Sequence, residues 1–259
     1  MDLDNEAGTD TALDGTWSFP PAELALLSND VHVFCVSLDQ PASSLQQLAQ
    51  TLSEDERTRA ERFYFEQDRK RFIVGRGLLR TLLGRYLDIE PDRLQFCYGS
   101  RGKPALAETI NGGTLCFNLS HSQGLALYAF TRNRQIGIDL ECIRPMPEAE
   151  QIVKRFFSTR EHSAFCALPT SQKHEAFFHC WTRKEAYLKA TGDGLAQSLD
   201  QIEVSLTPGE PAKLLSIKGD PHQAERWSLQ ELKPASGYVA ALALEGSGGR
   251  LACWQWRCD

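Results

Sequence analysis

The sequence has no apolar run that approaches the length of a membrane span. Its first residues, Met1 to Glu6, are acidic and lack the basic region and apolar core of a secretory signal peptide. It also lacks an excess of positive charge, because the net charge is −6 and gives the whole protein no reason to bind nucleic acid. These absences predict a cytoplasmic protein with neither a membrane nor a nucleic acid as partner.

Cysteine is present but in no arrangement that indicates a metal or redox site. The eight cysteines include no C-x-x-C, and no spacing of cysteine and histidine suits a zinc ion. A chain of 259 residues can bury a core without covalent cross-links. We therefore expect free, buried thiols in a reducing compartment.

The pattern of the chain indicates a polar tail followed by two halves. Residues 1–17 are polar, with glycine and threonine, and we expect a disordered tail. In the N-terminal half, 18–133, the pattern predicts strands at 31–38, 115–119 and 125–130 and helices at 45–52, 55–63 and 68–86. In the C-terminal half, 134–259, it predicts an acidic strand at 135–141, helices at 148–156, 159–167 and 171–190, and short strands from 202 to 256. A helix that leads to an apolar strand occurs in both halves, so we expect an α+β fold of two similar α/β halves.

The acidic strand carries two carboxylates on one face. Side chains alternate between the faces of a strand, so Asp139 and Glu141 project together while Ile136, Ile138 and Leu140 pack on the other side. A solvated strand face is the simpler interpretation of such a pair taken alone. The pair indicates a metal site only if another element of the chain adds a further carboxylate.

The helix at 171–190 supplies a third carboxylate. Phe178, Trp181, Glu185 and Leu188 recur at helical spacing and share one face, so Glu185 lies among apolar side chains. A buried carboxylate is costly unless it is paired or binds a metal. Pairing with a lysine four residues later is the alternative, worth a few tenths of a kcal/mol. Asp139, Glu141 and Glu185 together suit Mg²⁺, which takes oxygen ligands, and the flanking Lys184 and Lys189 suggest a bound diphosphate.

Five short segments occur in a fixed order: Gly-Lys-Pro at 102–104, Phe-Asn-Leu-Ser-His at 117–121, Ile-Gly-Ile-Asp-Leu-Glu at 136–141, Arg-Phe-Phe-Ser at 155–158 and Trp-x-x-Lys-Glu-Ala-x-x-Lys at 181–189. In this order the sequence resembles the 4′-phosphopantetheinyl transferases, of the surfactin-synthetase-activating type with both halves in one chain. The resemblance runs from about Arg57 to Gly194. It implies two pseudo-twofold-related halves, a coenzyme A-binding side and a magnesium-binding side, with the active site in the cleft between them.

The resemblance also implies the reaction and its residues. The expected activity is Mg²⁺-dependent transfer of 4′-phosphopantetheine from coenzyme A to a serine of an apo carrier protein, releasing adenosine 3′,5′-bisphosphate. The metal set is Asp139, Glu141 and Glu185, and the expected catalytic residues are Glu185, Lys189 and His121. Matching positions for coenzyme A are the diphosphate contacts Lys184 and Lys189, the phosphate contacts Ser120, His121 and Lys103, and the nucleotide contacts Arg71 and Arg59.

The expected partner is an apo carrier protein of the fatty-acid, polyketide or peptide-synthetase type, and the expected enzyme is a monomer. Arg155, Phe156 and Phe157 are candidates for docking an acidic helical partner, although core packing explains a phenylalanine there equally well. Two other functions stay open from the sequence. One is a catalytically silent module that binds carrier proteins or nucleotides, and the other is a Mg²⁺-dependent hydrolase of nucleotide diphosphates.

Overall fold

The fold is described from a computed structural model, which covers residues 17–99, 102–111, 114–192, 194 and 198–257. The disordered tail expected at 1–17 lies outside these residues except for Trp17. The indole Nε1 of Trp17 donates a hydrogen bond to the carbonyl oxygen of Lys233 at 2.8 Å. No helix among the described residues is long and apolar enough to cross a membrane.

The predicted helices and strands occur in the predicted order with small shifts at their ends, and the described residues add four short strands and α-helices that were not predicted. The first half contains β1 (Asp30–Ser37), α1 (Ala42–Gln50), α2 (Glu54–Glu61), α3 (Glu66–Leu87), β2 (Phe96–Tyr98), β3 (Pro104–Leu106), α4 (Glu108–Asn111), β4 (Leu115–Ser122) and β5 (Leu125–Arg132). The second contains β6 (Ile136–Cys142), α5 (Ala149–Phe156), α6 (Thr159–Ala167), α7 (Thr170–Thr191), β7 (Ile202–Val204), β8 (Leu214–Ile217), α8 (Pro221–Ala224), β9 (Trp227–Leu232), β10 (Tyr238–Glu245) and β11 (Arg250–Gln255). The mixture of helices and mainly antiparallel strands confirms an α+β fold.

Among the described residues, the two largest sheets each form the centre of one half, beside two sheets of two strands. The first has the order β11-β1-β5-β4 and the second the order β6-β10-β9. β11 pairs in parallel with β1, with Val33 opposite Cys253. The C-terminal half predicted at 134–259 is therefore corrected at its end, because its last strand completes the sheet of the first half.

Three apolar clusters hold the layers together. Leu78 and Leu82 of α3 pack on one face of the first sheet with Phe34 and Phe130. α7 packs on the second sheet in the same way. A third cluster, between the sheets, includes Val33, Leu127, Ile136, Ile138, Leu140 and Leu242. The apolar face of β6 thus points into the middle of the molecule, and its acidic face points to α7.

Close contact between β6 and α7 depends on a glycine. A Cβ atom on Gly137 would lie 2.0 Å from the carbonyl oxygen of Ala186 and 2.3 Å from the amide nitrogen of Ala190. Only glycine lets a strand approach a helix backbone this closely. Because Asp139 and Glu141 follow Gly137 on the same face, the contact brings them next to the second half of α7.

The seven cysteines that the structure describes are free thiols. Cys35, Cys180 and Cys253 are buried, as expected, whereas Cys97 and Cys166 are exposed. Burial raises the pKa of Cys35 and of Cys253 to about 12, so both remain protonated at neutral pH. Cys258 lies outside the described residues.

A buried histidine makes the first half sensitive to acid. His32 is 5% exposed, its Nδ1 lies 2.7 Å from the hydroxyl of Tyr86, and its ring packs edge-on against Trp254 at 4.5 Å. Burial lowers the pKa of His32 to about 4, against the opposing charge of Asp30. The unfolded chain then binds more protons than the folded chain between about pH 4 and pH 6.5.

We predict that the free energy of unfolding falls as the pH is lowered through this window, by up to about 3 kcal/mol from His32 alone. Urea unfolding at pH 7 and pH 5 measures it. The His32→Gln variant, which carries no titratable ring, should lose less stability between the two pH values than the wild type. Carboxylates titrate in both proteins, so equal losses would contradict the assignment.

Candidate active site

A cleft of about 650 Å³ lies between the two halves. Its first-half wall includes Arg59, Arg71 and His121, and its second-half wall includes Glu185 and Lys189. With Lys103 and Ser120, the cleft therefore brings together seven of the ten predicted site residues, from segments up to 130 residues apart in the sequence. The first wall is mainly basic, and the second combines one carboxylate with a lysine.

Asp139 is the most buried of the three predicted metal ligands, at 5% exposed. Its Oδ1 accepts hydrogen bonds from Lys189 Nζ at 2.6 Å and from Ser120 Oγ at 3.1 Å. Its Oδ2 is buried and has no hydrogen-bond partner among the described residues. Burial raises the pKa of Asp139, while the charge of Lys189 and its hydrogen bond act in the opposite direction.

Glu141 and Glu185 complete the acidic group. Glu141 Oε2 accepts from Ser122 Oγ at 3.0 Å and from Arg144 Nη1 at 3.4 Å. Burial raises the pKa of Glu185, and the charges of Asp139 and Glu141 raise it further while that of Lys189 lowers it. The three predicted carboxylates therefore lie close enough to repel one another, as expected from the strand and helix periodicity.

Among the described residues, no group of three or more His, Cys, Asp or Glu side chains is gathered tightly enough to hold a metal ion, and the cation beside Asp139 is the ammonium of Lys189. The donor set itself is all carboxylate oxygen, which suits Mg²⁺. The unpaired Asp139 Oδ2 is a buried oxygen left for a cation. The residues fit a magnesium ion in chemistry, and the metal site remains a prediction.

The first-half wall carries the residues that were predicted to contact the nucleotide. Arg71 lies against Asp39, with Nε to Oδ1 and Nη2 to Oδ2 both at 2.8 Å, and the hydrogen bonds from Arg71 hold the pKa of Asp39 below its ordinary value. The Arg59 guanidinium lies over the ring of Phe72 at 5.3 Å. Partial desolvation, Lys189 and Arg71 together lower the pKa of His121, so its ring is neutral at neutral pH. Both arginines line the cleft, as an anion site requires.

Ser120 and Lys103 line the cleft but use their polar atoms inside the protein. Ser120 Oγ donates to Asp139 Oδ1, and it accepts from Lys189 Nζ at 2.8 Å and from the amide of Leu140 at 3.2 Å. Lys103 Nζ donates to the carbonyl oxygens of Ile136 at 3.3 Å and Ala190 at 3.0 Å. Burial lowers the pKa of Lys103 to about 8. The expected phosphate contacts are therefore replaced here by bonds that join the two halves.

The structure contradicts the placement of Lys184. Its side chain is fully buried, and its ammonium donates to Glu161 Oε2 at 2.6 Å and to the carbonyl oxygens of Leu199 at 2.7 Å and Ile202 at 2.5 Å. These three bonds use all three N–H donors of a lysine. Lys184 points into the core of the second half, on the side of α7 away from the cleft, so its expected contact with a diphosphate is corrected.

The docking candidates divide between surface and core. Phe156 is 40% exposed, with the Arg155 guanidinium 5.0 Å from its ring centroid. Phe157 is 4% exposed and stacks on Phe177 at 5.9 Å. Arg155 and Phe156 remain candidates for a partner surface, and Phe157 belongs to the core.

Sequence reasoning missed two residues beside the acidic group. Asn118 Oδ1 accepts from the amide of Ile138 at 2.9 Å, and Ser122 Oγ accepts from the amide of Cys142 at 3.1 Å. With Ser120 they form an alternating polar series on one face of β4. The signal in the sequence is a polar side chain at every second position of an otherwise buried strand, because buried polar groups need hydrogen-bond partners.

Two family models match most of the chain. A model described as 4′-phosphopantetheinyl transferase, N-terminal, matches residues 40–132, and one described as the 4′-phosphopantetheinyl transferase superfamily matches residues 135–243. The 4′-phosphopantetheinyl transferase HetI of Nostoc sp. is 52% identical over 244 residues, which cover 94% of this chain and 100% of that protein. The 4′-phosphopantetheinyl transferase Sfp of Bacillus subtilis is 30% identical over 67% of this chain and 76% of its own length.

Among solved structures, the holo-[acyl-carrier-protein] synthase of Thermotoga maritima matches with a TM-score of 0.34 and 20% identity, over 44% of this chain and 63% of that one. A TM-score this low does not support a conclusion about the family. The sequence matches do support one, because they cover both halves and nearly the whole length of the chain. The chain belongs to the 4′-phosphopantetheinyl transferase superfamily, which confirms the expected family and class of enzyme.

Proposed function

We propose that this protein transfers the 4′-phosphopantetheine group of coenzyme A to a serine of an apo carrier protein and releases adenosine 3′,5′-bisphosphate. The observation that carries the proposal is the composition of the cleft between the halves. Glu185 and Lys189 line the cleft together with Arg71 and His121, and Asp139 pairs with Lys189 at 2.6 Å. A substrate with a diphosphate and a further phosphate suits this arrangement, because the basic wall attracts phosphate and a divalent cation held by the carboxylates would attract the diphosphate.

In the reaction, the serine hydroxyl oxygen bonds to the phosphorus that carries the pantetheine arm, and the bond from that phosphorus to the bridging oxygen breaks. Transfers of this kind depend on positioning and on neutralisation of charge. Mg²⁺ held by Asp139, Glu141 and Glu185 would neutralise charge on the diphosphate and polarise it. Lys189, already in the cleft, neutralises the leaving phosphate and can protonate its oxygen.

Glu185 is positioned to take the proton of the serine hydroxyl, directly or through a water molecule. Glu185 lines the cleft, and Lys189 lies one helical turn later on the same face of α7. Arg59, Arg71 and His121 on the opposite wall bind the nucleotide phosphates. His121 is exposed in the cleft, and its ring is neutral. Its N–H therefore donates a hydrogen bond to a phosphate oxygen, and the two arginines supply the positive charge.

The test is to incubate the purified protein with coenzyme A, Mg²⁺ and an apo carrier protein and to weigh the carrier by mass spectrometry. A gain of one phosphopantetheine arm, dependent on Mg²⁺, supports the transferase. Cleavage of coenzyme A without a gain in carrier mass indicates a hydrolase of nucleotide diphosphates. Neither change, with several carriers of the fatty-acid, polyketide and peptide-synthetase types, indicates a binding module and overturns the proposal.

The role of Arg71 gives a prediction about substrate choice. If Arg71 binds the 3′-phosphate, Arg71→Ala should raise the KM for coenzyme A about 10- to 100-fold, the scale of a lost charge-assisted hydrogen bond, with a smaller effect on kcat. The KM for 3′-dephospho-coenzyme A should not change. Arg69→Ala is the matched control, because Arg69 lies two residues away on α3 and pairs with Glu66 on the outer surface.

The comparison of the two substrates decides this prediction. Equal increases in KM for coenzyme A and for the dephosphorylated form would place Arg71 elsewhere along the nucleotide. An unchanged KM for coenzyme A would remove Arg71 from the binding site altogether.

A further inference from the structure

The two sheets meet along β4 and β6, which are edge strands of separate sheets. Side-chain oxygens of β4 accept hydrogen bonds from every second amide of β6. Asn118 accepts from Ile138 at 2.9 Å, Ser120 from Leu140 at 3.2 Å and Ser122 from Cys142 at 3.1 Å. In each pair the donor lies 20 residues after the acceptor, so the series is regular. Polar side chains of one strand thus take the place of a neighbouring backbone at this seam.

The two serines of the seam have a second contact that Asn118 does not share in the described structure. Ser120 Oγ donates to Asp139 Oδ1 at 3.1 Å, and Ser122 Oγ donates to Glu141 Oε2 at 3.0 Å. A serine hydroxyl carries a single proton. Because the amide of Cys142 already donates to Ser122 Oγ, the hydroxyl proton is free to point at Glu141. The orientation of the hydroxyl is therefore fixed by the backbone.

Ser122 contacts the acidic group from behind. It is 9% exposed and does not line the cleft, whereas Glu141 keeps a quarter of its side chain exposed. The other contact to Glu141 Oε2 comes from Arg144, which is longer at 3.4 Å and belongs to a side chain that is 45% exposed. Of the two hydrogen bonds to Glu141 Oε2, the one from Ser122 is therefore the shorter and the more buried.

We propose that Ser122 is a positioning residue for the metal site: its hydroxyl fixes one oxygen of Glu141 so that the carboxylate is held ready for a divalent cation. The proposal rests on the proposed function, which assigns Asp139, Glu141 and Glu185 to Mg²⁺. Groups that hydrogen-bond a metal ligand from behind orient it, and their loss costs about 10- to 100-fold in metal affinity. Ser122 acts through Glu141 and touches neither substrate.

The test compares two substitutions of nearly equal shape. Ser122→Thr keeps the hydroxyl, and Ser122→Val replaces it with a methyl group. Binding of Mn²⁺, used as a probe for the divalent site, is measured by the electron paramagnetic resonance signal of free Mn²⁺ with coenzyme A present and no carrier protein. We expect Ser122→Val to weaken Mn²⁺ binding about 10- to 100-fold and Ser122→Thr to bind within a few-fold of the wild type.

Asn118→Ala is the matched control for the seam. It removes a side-chain acceptor from a β6 amide, as Ser122→Val does, but from a residue with no bond to the acidic group in the described structure. We expect a lower melting temperature for both variants and weaker Mn²⁺ binding for Ser122→Val alone. In transfer assays Ser122→Val should raise the Mg²⁺ concentration for half-maximal rate more than it lowers kcat at saturating Mg²⁺.

Two results would overturn the proposal. One is equal Mn²⁺ affinity of the Thr and Val variants, and the other is an equal loss of affinity in Asn118→Ala, which would make the effect one of seam stability. Failure of the proposed function can be recognised separately. The Mn²⁺ binding assay does not depend on transfer, and the carrier mass assay is done with the wild-type protein. If the wild type modifies the carrier and Ser122→Val binds Mn²⁺ as well as the wild type does, only the positioning role is rejected.

Discussion

Replacing Glu185 with glutamine is expected to lower kcat for transfer about 100- to 1,000-fold, the scale of losing one electrostatic contact to a transition state. Glutamine has nearly the same shape but neither charge nor basicity. Glu185 lies in the cleft, within the electrostatic influence of Asp139, Glu141 and Lys189. The substitution therefore removes one carboxylate from the acidic group and the candidate acceptor of the serine proton. Asp139→Ala should have an effect of similar size, because it also leaves Lys189 without its partner at 2.6 Å.

The control for Glu185→Gln is Glu175→Gln on the same helix. Glu175 is half-exposed, pairs with His179 at 3.4 Å and does not line the cleft. Its substitution should leave kcat and the KM for coenzyme A close to wild type. Rates are measured by carrier mass against time at saturating coenzyme A and Mg²⁺. Full Mg²⁺-dependent transfer by both Glu185→Gln and Asp139→Ala would remove the acidic group from the mechanism.

Local periodicity predicts the acidic group well because each carboxylate depends only on its own element. Asp139 and Glu141 are two apart on a strand, so they share a face in any register. Glu185 and Lys189 are four apart on a helix, so they share a face there as well. The remaining requirement is that the strand and the helix touch. Gly137 permits the close approach of β6 to the backbone of α7, but in the sequence it was visible only as a small residue in an apolar strand.

The same geometry explains why Lys184 was misplaced. Successive residues of a helix are turned by about 100°, so Lys184 cannot share the face of both Glu185 and Lys189. Its true partner, Glu161, lies 23 residues earlier at the start of α6, and no local pattern connects the two. The family motif places a lysine at this position without stating where its ammonium points.

Contacts between residues far apart in the sequence were the second feature that the sequence could not predict. β11 has the apolar alternation of a strand, but nothing in that pattern selects β1 as its neighbour across 220 residues. Likewise, the partners of Ser120 and Lys103 come from β6 and α7 and depend on how the halves meet. The sequence indicates that such side chains are polar and close to the site, while only the fold decides between an internal bond and a ligand.

Lys184→Met provides the sharpest test of the corrected role, with an expected loss of about 3–5 kcal/mol in the free energy of unfolding. Lys184 and Glu161 are 0% and 2% exposed in their side chains and form a bond of 2.6 Å. Glu161 also accepts from the amides of Ser158 at 2.8 Å and Val204 at 2.9 Å, so its carboxylate is held in place. Removal of the ammonium therefore leaves a buried charge without a counter-ion, which is the costly case.

The double variant Lys184→Met with Glu161→Gln separates a buried pair from a ligand. Glutamine removes the uncompensated charge, so the double variant should be more stable than Lys184→Met alone, measured by urea unfolding without coenzyme A. A lysine that binds diphosphate would behave differently: its loss would raise the KM for coenzyme A, leave unfolding of the free protein unchanged and gain nothing from Glu161→Gln. Since the pair of Lys184 and Glu161 lies on the side of α7 away from the cleft, we expect the first pattern, in which Lys184 supports the helix that presents Glu185 and Lys189 to the cleft.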